Sequence, residues 1–276
     1  MAGTLFVVAT PIGNLEDITF RALRVLREVA VVAAEDTRRT GLLLRHFGIP
    51  TRLVSLHSHN EGLKAAGLVD RLLRGESVAL VSDAGTPAVS DPGAELVRVA
   101  VASGIRVEPV PGASAVMAAL SAAGLPDVGF TFLGFPPARG KDRESWFEKL
   151  GKAVDEVPVV FFEAPHRVKS TLQHLVDLSY DQIIVFREVT KLHESAYRGS
   201  IREVLEQLTV VAGEFTLVVP RRIAGSEPME RPTDEAVVEI FGRITDKKGR
   251  DAARQVAAAV GLSANEVYEI VRKSKV

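Results

Sequence analysis

Cysteine is absent from the 276 residues. That excludes a disulfide framework and any thiolate metal site. No run of about 18 apolar residues occurs, so no membrane span is expected. Charge of one sign is missing too: 34 Lys and Arg stand against 35 Asp and Glu, a net of −1. A global polycation that grips nucleic acid by bulk charge is therefore excluded, while a locally basic surface is not. The first strand and turn lack the three glycines of a dinucleotide fingerprint, which argues against a Rossmann dehydrogenase. No Lys-Ser or Lys-Thr pair follows the glycine turn near residue 85, so a phosphate-binding P-loop is absent. No basic segment followed by an apolar stretch precedes the first strand, so no secretory signal is expected and a cytoplasmic chain is the simplest reading.

What the chain has is a set of turns rich in small residues. Apolar Val78 to Val81 runs straight into Ser82, Asp83, Ala84, Gly85, Thr86 and Pro87. That pattern predicts a buried parallel strand ending in a tight turn. A second such turn is Pro111-Gly112-Ala113-Ser114-Ala115, and a third is Thr10-Pro11-Ile12-Gly13-Asn14. Ligands of open α/β sheets bind outside the carboxyl ends of strands, and small residues let them approach bare backbone. Three such turns predict one shared ligand crevice.

The spacing predicts strands over residues 5–9, 29–34, 52–56, 78–81 and 107–110, separated by amphipathic helices. This is a parallel sheet with helices on both faces, forming an N-terminal α/β domain over 1–124. A different rhythm over 125–222 predicts a second α/β domain with a mixed sheet. The charge-rich, Pro- and Gly-containing stretch after 222 reads as a linker to a small helical module, together spanning 223–276. Gly261 as a C-cap and Ser263 with Glu266 as a capping box predict a helix-turn-helix-like unit there.

Charged motifs close several strands. Glu35-Asp36-Thr37-Arg38-Arg39 is either a helix cap or a polar substrate contact. His57-Ser58-His59-Asn60-Glu61 lacks the further His or Cys that a metal site needs, so no metal is expected. Glu163-Ala164-Pro165-His166-Arg167 places cations in a first helical turn, against the helix dipole. Arg187-Glu188-Val189-Thr190-Lys191 and the following Glu194 make a plausible site wall. Lys191 and Glu194 are the candidates for proton handling or phosphate contact.

The segments TPIGN, EDTR, SDAGTPAVSDPG, VPGASA, FEAPHR and REVTKLHE, in this order and spacing, resemble the 16S rRNA (cytidine-2′-O-)methyltransferases. Those enzymes fall in the tetrapyrrole methylase-like class. The resemblance runs from about Thr4 to Pro220 and extends to the helical tail. It implies two α/β domains with S-adenosyl-L-methionine held in the cleft between them. It implies donor contacts at Pro11, the Asp83-Ala84-Gly85-Thr86 turn, Val89, Ser114, Ala115, Glu163 and Val189. The acceptor it implies is a cytidine ribose in 16S rRNA of the small ribosomal subunit, and the assembly a homodimer. A ribose 2′-hydroxyl is a poor nucleophile, which makes Lys191, Glu194 and Glu61 the residues to test for catalysis. Arg38, Arg167 and Arg187 are the expected contacts to RNA phosphates, extended by Arg139-Gly140-Lys141 and the basic tail. Two alternatives stay open: a tetrapyrrole-type C-methylase, and a non-catalytic RNA-binding assembly factor.

Overall fold

The computed structural model describes residues 2–57, 61–126, 129–222, 233–243, 252–253, 255–257 and 264–274. Its first sheet is parallel, with strands β1 (Thr4–Val8), β2 (Val31–Ala34), β3 (Leu53–Ser55), β4 (Val78–Val81) and β5 (Arg106–Val110) in the order β3-β2-β4-β1-β5. All four residues of β2 and of β4 are buried, as expected of a sheet covered on both faces.

Strand alternation sorts that sheet into two cores. Val31, Ala33, Val78 and Leu80 join Leu68 and Leu72 of α3 (Glu61–Leu73) and Leu96 of α4 (Ala94–Ala102). Val32, Ala34, Ala79 and Val81 point the other way, to Val25 and Leu26 of α1 (Phe20–Glu28) and Leu44 of α2 (Thr37–His46). The period of two along a strand produces this division.

The second sheet is mixed, with β6 (Thr131–Phe132), β7 (Val159–Glu163), β8 (Gln182–Arg187), β9 (Ser195–Ser200) and β10 (Phe215–Val219) in the order β6-β7-β10-β8-β9. One face carries α6 (Lys141–Val154), α7 (Val168–Asp177) and α8 (Ile201–Gln207) over Val159, Phe161, Val185 and Leu217. The other face carries α5 (Ala115–Ala122), whose Val116 and Ala119 pack on Val160, Ile184, Phe186 and Val218. Helix α5 thus starts at the Pro111–Ala115 turn of the first sheet and buries its apolar side on the second. It ties the two halves of the cleft together, and Arg198 donates to the Ala122 carbonyl at its far end.

The tail forms its own small core. Val237 of α9 (Asp234–Arg243) packs with Val267 and Ile270 of α10 (Ala264–Ser274) and with Ala253 and Val256 between them. Ser58 to Asn60, Gly261 and Ser263 lie outside the described residues, as does most of the expected linker.

Candidate functional site

Strands β4, β1 and β5 are neighbours, so the turns that leave their carboxyl ends converge. Thr10 and Gly85 exchange backbone hydrogen bonds at 2.9 and 3.0 Å. Thr10 Oγ1 donates to the Ser82 carbonyl at 3.4 Å. A Cβ on Gly85 would lie 3.2 Å from Ile12 Cγ2 and 3.7 Å from the Ala113 carbonyl, and one on Gly112 would lie 3.1 Å from the Ala9 Cβ. The three turns form one backbone-lined edge. Gly85 also needs its left-handed φ of 77°. Pro11 and Gly85 are buried in that edge, whereas Thr86 and Val89 are exposed along it. Ser114 caps α5 by accepting from the Met117 amide, and Ala115 is the first residue of that helix.

The opposite wall comes from the second sheet. Phe132, Phe162 and Val189 are half-buried against the α5 cluster, with the Phe132 and Phe162 rings 5.0 Å apart. The turn after β8 reaches across the cleft. A Cβ on Gly13 would collide with Lys191 Cγ, and one on Gly134 would sit 3.2 Å from Ser90 Oγ. Glu188 and Thr190 adopt left-handed φ values of 55° and 69°, and so do Ala88 and Ser90, at 64° and 66°. Such conformations persist where the surroundings over-determine them and gather at ligand sites. Glu188 is the bolt: it accepts from Lys191 Nζ at 2.8 Å and from the Glu214 amide at 2.9 Å.

The other candidate side chains have partners within the fold. Burial disfavours the Lys191 charge, but its bonds and ion pairs with Glu188 and Glu214 outweigh that and hold its pKa above the ordinary lysine value. Two carboxylates thus hold Lys191 in its charged form. Glu194 is exposed and accepts from the Thr190 amide, so it closes the turn. Glu61 Oε1 accepts from the amides of Gly93, Glu95 and Leu96 at 3.0, 2.7 and 3.3 Å. Gly93 has no side chain to cap α4, and Glu61 does so from another helix. Its carboxylate is occupied by structure.

Glu163 does not face the cleft. It shares a side of β7 with Val159 and Phe161, which is the side under α6 and α7. Its side chain is fully buried, paired with Arg167 at 2.8 Å and accepting from Thr171 Oγ1 at 2.6 Å. Phe162, one residue earlier, occupies the cleft side in its place. Arg167 is correspondingly tied inward, donating also to the Pro136 carbonyl, and is no free phosphate ligand. Arg187 donates to the carbonyls of Ala212 and His193 and so supports the turn. Arg38 is exposed and paired with Asp36, whose carboxyl that hydrogen bond pulls down to about 2.

Asp83 accepts from the Asp36 amide at 2.9 Å and faces Arg39 at 3.5 Å. It adjoins two further acids, Glu35 and Asp91. Burial, and then the charge of Glu35, push the Asp91 carboxyl up to about 6. Burial and the charge of Asp83 likewise raise Glu35. No group of three or more acidic or histidine side chains able to hold a metal occurs among the described residues.

The donor implied by the resemblance fits this edge. Glycine and alanine turns offer main-chain groups, Phe162 and Val189 offer an apolar wall, and Thr190 Oγ1 is buried beside them without a hydrogen-bond partner.

A family model described as Tetrapyrrole (Corrin/Porphyrin) Methylases matches residues 4–205. A protein of Halalkalibacterium halodurans named ribosomal RNA small subunit methyltransferase I is 43% identical over 277 residues, spanning 97% of this chain and 94% of its own length. Its namesake from Pseudomonas aeruginosa is 54% identical over 198 residues, 70% of this chain and 69% of its own. Among solved structures, a diphthine synthase superposes with a TM-score of 0.64 at 17% identity, covering 80% of this chain and 92% of that one. A uroporphyrin-III-C-methyltransferase from Thermus thermophilus gives 0.56 at 22% identity, covering 79% and 94%. At these identities the two structures show the fold alone.

Proposed function

This chain belongs to the tetrapyrrole (corrin/porphyrin) methylases, and we propose that it methylates the ribose 2′-hydroxyl of a cytidine in 16S rRNA of the small ribosomal subunit. It is an S-adenosylmethionine-dependent methyltransferase. When bound, the donor supplies an electrophilic methyl group on a sulfonium. The observation that carries the proposal is the convergence of three small-residue turns on one edge, in a chain whose near-full-length relatives are named for small-subunit rRNA.

In-line methyl transfer asks the protein mainly to align two partners and exclude water. The Thr10–Gly85 bridge and the Ser114 cap fix the donor edge before binding. Val189 and Phe162 close the apolar side. The Lys191 stem lies across Gly13 and keeps its ammonium at the cleft rim, where it favours oxyanion character on an incoming 2′-oxygen. Transfer would join the methyl carbon to the 2′-oxygen as the carbon–sulfur bond breaks, leaving the donor as a neutral thioether and passing the hydroxyl proton to solvent. Domains over 1–124 and 125–222, with a helical module beyond 222, belong to the same reading. So do a cytoplasmic site and a homodimer, the latter served by the exposed apolar residues Met117 and Phe130.

The test is transfer of labelled methyl from S-adenosylmethionine to purified, unmodified small ribosomal subunits, followed by nucleoside mass spectrometry. 2′-O-methylcytidine is the expected product. Donor binding with no labelled nucleoside would overturn the acceptor assignment and favour a small molecule or a non-catalytic role.

A further inference from the structure

We propose that the outer face of α1 and α2 is a docking surface for the sugar–phosphate backbone of the RNA that carries the target, an inference that rests on the RNA-acceptor reading above. Residues 20–52 contain seven arginines, no lysine and three acids, a net of +4 in a chain whose total is −1. Residues 61–98, which supply the opposite face of the same sheet, contain four basic residues and six acids, a net of −2. All seven arginines are exposed. The two helices share one apolar cluster beneath them, so their outer surfaces form one continuous face.

The positions of the charges matter more than their number. Both helices start at the carboxyl edge of the parallel sheet, where the crevice lies, and run towards the amino edge over about 15 Å. Arg21, Arg38 and Arg39 lie at the crevice end, and Arg27, Arg45 and Arg52 at the far end. Arg38 and Arg39 are paired with Asp36 and Asp83, and Arg24 with Glu28. The other four are not neutralised. Arg21 donates to the Pro109 carbonyl at 3.1 Å and Arg27 to the Phe47 carbonyl at 3.1 Å. A carbonyl anchor fixes a guanidinium in place and leaves its charge uncompensated. Arg45 and Arg52 have no carboxylate partner among the described residues. Fixed guanidinium forks without carboxylates suit phosphate oxygens.

At the crevice end of the stripe stands Phe20, the first residue of α1 and 93% exposed. An aromatic ring held in water beside cations is a stacking platform for an unpaired base. A ring at that end can hold an unpaired base next to the target while the arginines hold the strand.

The test uses two triple variants of the full-length protein at positions far from the crevice: Arg27, Arg45 and Arg52 all to Ala, and the same three all to Lys. The Ala triple is expected to raise the KM for unmodified small subunits by on the order of tenfold or more. It should flatten the dependence of log K on log salt by about two units. Donor affinity and the thermal midpoint of the Lys triple should match the parent, and the Lys triple should restore most of the salt slope. Phe20→Ala should raise KM and leave that slope unchanged. Methylation of RNA by the parent with no change of KM or slope in the Ala triple would overturn the proposal. So would preferential binding to anionic phospholipid vesicles that the same triple abolishes. A parent that labels no RNA would instead defeat the acceptor reading itself.

Discussion

The two sheets meet the same crevice in opposite ways. The first sheet is parallel and presents strand ends, so every turn leaving β1, β4 and β5 points at the ligand edge. The second sheet is mixed and presents a face, so alternation along β7 decides what reaches the crevice. Phe162 and the turn beyond β8 do; Glu163 does not. A charged residue at the end of an apolar strand is thus evidence for a site in a parallel sheet. In a mixed sheet it is evidence only once its side of the strand is known.

The sharpest way to break this contrast is Glu163→Ala. The change leaves the half-buried Arg167 without its carboxylate and should cost about 3 to 5 kcal/mol, read by denaturant unfolding. Donor affinity of the folded fraction should stay within about twofold of the parent, below the tenfold that about 1.4 kcal/mol represents. Lost donor binding at full stability would put Glu163 back in the cleft.

Asp91 offers the next largest effect. Its folded pKa of about 6 lies above the ordinary value of 3.8, so the folded state binds the proton more tightly. That advantage is complete below pH 4 and is lost as pH rises through 6. The parent should therefore be more stable near pH 5 than near pH 7 as far as this group is concerned. Asp91→Asn should gain about 1 to 3 kcal/mol at pH 7 and flatten the profile between pH 4 and 6. An unchanged profile would mean that Asp91 is better solvated than its position beside Glu35 and Asp83 implies.

Gly85→Ala sharpens the first-sheet side. A Cβ at φ 77° costs about 1 to 2 kcal/mol and presses on Ile12. Because Gly85 bonds to Thr10 and lies near Ala113, donor affinity should fall together with stability. Donor binding at parent affinity would show that the turns do not act as one edge. The smallest effect belongs to Glu61→Ala, which removes the cap of α4 and should cost about 1 kcal/mol while kcat holds. A collapse of kcat at unchanged stability would restore Glu61 as a base.

Much of this was legible in the sequence, and the physical reason divides along the same line. The three turns could be read because a strand-to-helix turn in a parallel sheet has one destination. The five-strand parallel sheet and the mixed second sheet followed from apolar runs and helical spacing. The inward side of Glu163 had a visible signal: Val159, Phe161 and Glu163 share a parity, and the first two are core residues. The role of Glu61 had none, since its partners lie more than 30 residues away across two helices. The same holds for Lys191 on Gly13, a contact between halves of the chain that no local pattern encodes. The basic face of α1 and α2 was present in the composition of residues 20–52 but hidden by a balanced total.

The most direct measurement is a crystal structure of the protein with S-adenosylmethionine. The account predicts the donor against the backbone of Ala84 to Thr86 and Ser114 on one side and Val189 on the other, with Glu163 still paired to Arg167 behind the sheet. A donor seated away from the three turns, or one that draws Glu163 out of its pair to meet it, would contradict it.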